Sequence, residues 1–134
     1  MELQYKIILA WITFTLITGI AEAFYFNKNQ RHVKVLGLNI HFWFGVIRSL
    51  VAAPLCFHVF IDIGLLESIL MGVIMILSFP FFHDAVYYTT RELLKKGTYP
   101  KTWLDQSKET DATLSFNIYW RVVFLIITLL IFPY

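Results

Sequence analysis

His83 and Asp84 stand side by side in the stretch 79–91, Phe-Pro-Phe-Phe-His-Asp-Ala-Val-Tyr-Tyr-Thr-Thr-Arg, directly after the apolar run 69–82. An imidazole beside a carboxylate can accept a proton, hold an arginine or ligate a metal. Set in hydrocarbon-type sequence, such a pair is costly and marks a candidate site. Glu22, His41, Arg48, Asn117 and Arg121 also interrupt apolar sequence. Glu22 and Asp84 are acids, and Arg48 and Arg121 are bases that stay ionised. Mutual neutralisation is therefore expected, Asp84 with Arg48 or Arg121 and Glu22 with the other. The sequence leaves both pairings open.

Several chemistries have no signature here. There is no Gly-rich phosphate loop, no G-x-S-x-G, no H-x-x-x-H or H-E-x-x-H, and no nucleophile beside a base. His41, His83, Asp84 and Glu22 offer ligand types that zinc or iron accepts, but without metal-site spacing, so no metal and no cofactor is assigned. For His83, two readings stand: an interfacial histidine bonded to a backbone carbonyl, or a titrating group or metal ligand. His58 and Asp62, four apart, form an i, i+4 pair. Arg91, Lys95, Lys96 and Lys101 make a basic patch suited to lipid headgroups or a phosphate.

The elements that must position these residues are apolar. The chain has 134 residues, 58% of them hydrophobic, and a mean hydropathy of +0.66. Soluble domains hold roughly 45–50% apolar residues, so the expected solvent is the lipid bilayer. The net charge of +2, with bases scattered among acids, argues against a nucleic-acid partner. A single cysteine, Cys56, excludes an intrachain disulfide and is read as a packing residue.

Four apolar stretches approach the roughly 20 residues that cross a bilayer: 5–26, 35–60, 63–88 and 112–132. The first has a small-x-small site at Ala21-Glu22-Ala23, but Lys6 is balanced by Glu2, so it is read as a membrane helix and not as a cleaved signal. The third continues to about 96, with Gly97 as its left-handed stop. Asp111 or Thr113 is the expected N-cap of the fourth. The fold class is thus all-α, a single four-helix transmembrane bundle. Pro54 and Pro80 each remove a helical donor, and Pro80 frees the carbonyl of Ile76 one turn before the His-Asp pair.

Lys and Arg number seven in or directly beside the connections 27–34 (Lys28, Arg31, Lys34) and 97–111 (Lys101 and Lys108, with Lys95 and Lys96 just before it), against Lys6 alone on the other side. Both connections are therefore expected in the cytoplasm and both termini outside. Tyr5, Tyr25, Tyr87, Tyr88, Trp103 and Tyr134 near the span ends fit an aromatic belt.

Helical spacing puts one polar stripe on each span. These are Thr15, Thr18, Glu22 and Tyr25; His41, Gly45, Arg48 and Ala52; Pro80, Asp84, Tyr87, Tyr88 and Arg91; and Asn117, Arg121 and Thr128. Polar atoms in hydrocarbon need partners, so the stripes are expected to face one another. All their intramembrane charges except Arg48, at mid-depth, fall in the cytoplasmic half.

The segment His83-Asp84-Ala85-Val86-Tyr87-Tyr88-Thr89-Thr90-Arg91, with Trp103-Leu104-Asp105-Gln106-Ser107, resembles a pattern in small multi-spanning membrane proteins encoded by bacteriophages. The resemblance covers about a quarter of the chain. It implies a phage-encoded inner-membrane protein of holin-like type and carries no activity.

Three functions fit this reading. The first is a small channel- or pore-type protein, a homo-oligomer because four helices leave little room for a path within one chain. The second is a membrane-embedded enzyme acting on a lipid or prenyl phosphate at the cytoplasmic face, with His83, Asp84 and Glu22 as acid/base or metal-binding groups and Arg91 or Lys95 holding the phosphate. The third is a structural or accessory subunit whose charges lock the bundle.

Overall fold

A computed structural model describes residues 2–28, 34–105 and 116–132. The architecture is all-α, with four α-helices among the described residues: α1 (Glu2–Lys28), α2 (Ile40–Asp62), α3 (Leu65–Leu94) and α4 (Ile118–Ile131). A two-stranded hairpin, β1 (Lys34–Val35) and β2 (Leu38–Asn39), precedes α2, and a 3-10 turn (Thr102–Leu104) follows α3. The helices α1, α2 and α3 are long and apolar enough to cross a membrane. Helix α1 is 27 residues long, about 40 Å at the helical rise.

The fourth stretch departs from expectation. Helix α4 has 14 residues, about 21 Å, short of the ~30 Å hydrocarbon core. Its cap is Asn117, whose side chain accepts from the amide of Trp120 at 3.1 Å. Asp111 and Thr113, the expected caps, lie outside the described residues, as do Arg31, Gln106, Ser107, Lys108 and Tyr134. Asn117 therefore marks the helix entrance.

The second stretch also starts later than 35. Leu36 (φ 51°) and Gly37 (φ 78°) both occupy the left-handed region, as the central pair of a type I′ hairpin turn must. Val35 and Leu38 are thereby paired as strand residues. The side chain of Asn39 accepts from the His41 amide at 3.0 Å and starts α2 at Ile40. The Trp43 indole donates to the Val35 carbonyl at 2.9 Å and ties the hairpin to the helix.

Helices α2 and α3 are separated only by Ile63 and Gly64, with Gly64 at φ 150°. The Ser68 hydroxyl donates to the Cys56 carbonyl at 2.8 Å across this junction. At its other end α3 stops at Leu94, three residues before Gly97, which does take positive φ (85°). The carboxylate of Glu92 accepts the amides of Gly97 and Tyr99, both at 2.8 Å, and folds the chain back there.

Two buried clusters flank the middle of the bundle. Ile7, Trp11, Val59, Met71 and Met75 form one. Here the Trp11 indole donates to the Met75 carbonyl at 3.0 Å, next to the carbonyl that Pro80 leaves free. Ala23, Phe26, Tyr87, Tyr88 and Tyr99 form the other. Between them α1 and α3 pack tightly at Gly19. A Cβ there would lie 2.5 Å from Val86 Cγ1 and 2.9 Å from the His83 carbonyl oxygen. This approach sets Glu22, one turn on, beside His83. Val59 is the one buried residue of α2, whose exposed leucines and phenylalanines suit a lipid surround.

Candidate functional site

Helix α1 brings Glu22, α2 brings Arg48, α3 brings His83 and Asp84, and α4 brings Arg121 into one layer. Arg48 Nη2 donates to Glu22 Oε1. Arg121 Nε lies 3.3 Å from Asp84 Oδ2. Of the two pairings left open by the sequence, the structure therefore has Glu22 with Arg48 and Asp84 with Arg121. His83 joins the pairs, with Nδ1 3.1 Å from Asp84 Oδ1 and Nε2 3.3 Å from Glu22 Oε1. The chain of contacts runs Arg48–Glu22–His83–Asp84–Arg121 and reaches all four helices.

The carbonyl-bonded reading of His83 is replaced by an imidazole between two carboxylates. The ring is held flat by stacking on Phe79 one turn before (4.5 Å between centroids, 22°) and on Tyr87 one turn after (5.9 Å, 11°). Phe79 also carries the Arg48 guanidinium over its face at 4.4 Å, and Tyr88 carries that of Arg121 at 5.3 Å. The spacing Phe79–His83–Tyr87, four and four, was the available signal for this clamp.

Burial is uneven along the layer. The side chains of Glu22, His83 and Arg121 are 4%, 8% and 1% exposed, while those of Asp84 and Arg48 are 22% and 23% exposed. Arg121 needs its burial satisfied, and carbonyls do most of it. Its Nε donates to Phe116 O, its Nη1 to Trp103 O and its Nη2 to Asp105 O, all at 2.8 Å. One arginine thus ties the segment after α3 to the start of α4. No spacing in the sequence points to those carbonyls.

The proton state of His83 decides which neighbour its Nε2 prefers. Arg48 Nη2 lies 3.2 Å from that nitrogen. A neutral ring that donates Nδ1–H to Asp84 presents an Nε2 lone pair to the Arg48 donor. A protonated ring donates from both nitrogens, so Nε2–H turns to Glu22 and meets Arg48 as a like charge. Two acids and two arginines balance in the neutral state, and one proton gives the layer a net positive charge.

The other expected residues lie elsewhere. His41 stacks on Phe26 (4.9 Å, 19°) in the first turn of α2, and Asn117 caps α4. Lys95, Lys96 and Lys101 are exposed, whereas Arg91 is buried. His58 Nδ1 and Asp62 Oδ2 form the expected pair at 3.2 Å. Among the described residues no group of three or more His, Cys, Asp or Glu could hold a metal ion.

No family model matches this chain, and neither a curated protein nor a solved structure gives a match.

Proposed function

We propose that the chain is a small channel- or pore-type membrane protein in which the ionic layer is the gate. The observation that carries this reading is His83 between Glu22 and Asp84, each carboxylate also held by an arginine from a different helix. Such a layer is closed while His83 is neutral. Protonation sets Nε2 against Arg48 and pushes on α2, the helix with the fewest buried residues. In this proposal the charges gate a path and do not line it.

The path would form between copies. Gly45, Ser49 and Ala53 line a shallow groove on α2 with Phe42. Small residues at four-residue intervals let helices approach closely in lipid, and space is open where a Cβ on Gly45 would stand. We place the basic connections in the cytoplasm, by the bias of Lys and Arg.

A second reading, the structural lock, is favoured by one feature: the two acids are matched one to one by arginines. Ion leak from proteoliposomes across a pH series separates the two. A gate gives little leak at neutral pH and a leak that rises on acidification, lost in His83→Gln and present already at neutral pH in Glu22→Gln. No leak at any pH from protein shown to be folded and inserted sinks the gate and leaves the lock.

A further inference from the structure

Among the described residues Arg91 is the arginine the ionic layer does not use. It lies seven residues past Asp84 on α3, about 10 Å along the helix, and is only 8% exposed. Arg48 has Glu22 and Arg121 has Asp84, but Nε and Nη1 of Arg91 are shut off from solvent with no hydrogen-bond partner among the described residues. A guanidinium stays charged, and a buried charge without partners is strongly disfavoured. Its donors call for an anion.

Among the described residues the local acids do not supply one. Glu92 is turned to the amides of Gly97 and Tyr99. Asp105 Oδ2 accepts the amide of Lys101. Lys95, one turn beyond Arg91, and Lys96 and Lys101 are exposed and add positive charge. Tyr87, Tyr88 and Tyr99 cluster at this end of the bundle, as tyrosines do at headgroup depth. The exposed Trp103 and Leu104 are the kind of side chain that sits in the interface.

We infer that Arg91 is the centre of a phosphate-binding site at the basic end of the bundle. Its ligand is a phosphate group, carried by an anionic lipid headgroup or free in solution. This differs from diffuse attraction of the exposed lysines to a charged surface, because a guanidinium fork gives phosphate directed, charge-assisted hydrogen bonds.

The test is binding to nanodiscs of phosphatidylcholine with and without phosphatidylglycerol, read by native mass spectrometry and by the lipid-dependent shift of the unfolding midpoint. Inorganic phosphate forms a separate arm. Wild type should retain phosphatidylglycerol in preference to phosphatidylcholine at moderate salt. Arg91→Gln should weaken this roughly tenfold, and Arg91→Lys should restore part of it. Lys95→Gln with Lys96→Gln should change it by about twofold and only at low salt. A shift with inorganic phosphate that Arg91→Gln removes makes the free ion the ligand and still supports the site. Arg91→Gln binding as wild type does, or the lysine pair accounting for the whole preference, overturns it. Should Arg91→Gln fail to fold, the comparison of wild type with Arg91→Lys decides, equal retention overturning the site.

Discussion

Glu22→Gln keeps the shape of the side chain and removes its charge, which makes it the sharpest probe of the ionic layer. With Glu22 only 4% exposed, the pair with Arg48 belongs with buried ion pairs, where loss of one partner costs about 3–5 kcal/mol. Arg48 is 23% exposed and keeps the His83 ring beside it, which brings the expected loss to about 2–3 kcal/mol. A surface pair would lose no more than about 1 kcal/mol. Arg48→Gln should cost a similar amount by stranding Glu22. The double substitution removes both charges and should cost less than either single, because neither charge is left without its partner. Reversible unfolding in mixed micelles, titrated with a denaturing detergent and followed by tryptophan fluorescence, gives all three values. Losses that simply add, to within about 0.5 kcal/mol, would show two independent side chains and refute the coupled layer.

Three further outcomes follow from the glycine contacts and the cap of α4. Gly19→Ala puts a methyl 2.5 Å from Val86 Cγ1 and 2.9 Å from the His83 carbonyl; it should destabilise by about 1–3 kcal/mol. In the same unfolding assay Gly72→Ala, whose Cβ meets only Cys56 Sγ at 3.7 Å, should not. Asn117→Ala should cost about 1 kcal/mol through the lost cap of α4, seen as fraying of residues 118–121 in amide hydrogen exchange.

The helices were legible because hydropathy is a local property: the stretches 5–26 and 63–88 fall within α1 and α3 to within about two residues. What shortened the second stretch was turn chemistry. Leu36-Gly37 reads as two apolar-compatible residues, yet its backbone reverses the chain, and Asn39 captures the helix start. Of the candidate site, the stripes on α1 and α3 and the acid–base match were readable, since each helix presents its own polar residues at regular spacing. The pairing was not, because spacing within a helix says nothing about which helix stands beside it. His83 as the bridge follows from the approach of Gly19, a contact between segments far apart in sequence. Arg121 was read as a partner for an acid, whereas most of its hydrogen bonds go to carbonyls of the segment around Trp103, which no side-chain pattern encodes.

The order in which the layer's charges leave the ribosome follows from the same geometry. Glu22 emerges first, then Arg48, then the His83-Asp84 pair, then Arg121. Acid, base, acid, base: α1 carries a charge that α2 cancels, and α3 one that α4 cancels. A lone ionised residue at the centre of a helix disfavours membrane insertion by roughly 2.5–3.5 kcal/mol. Helices α1 and α2 together hold one bonded pair, and α3 and α4 hold the other. Biogenesis can therefore proceed in two neutral steps, with His83 joining them once both halves are in place. A nascent chain arrested after Asp62 carries its own neutralisation, whereas one arrested after Leu94 holds Asp84 without its arginine.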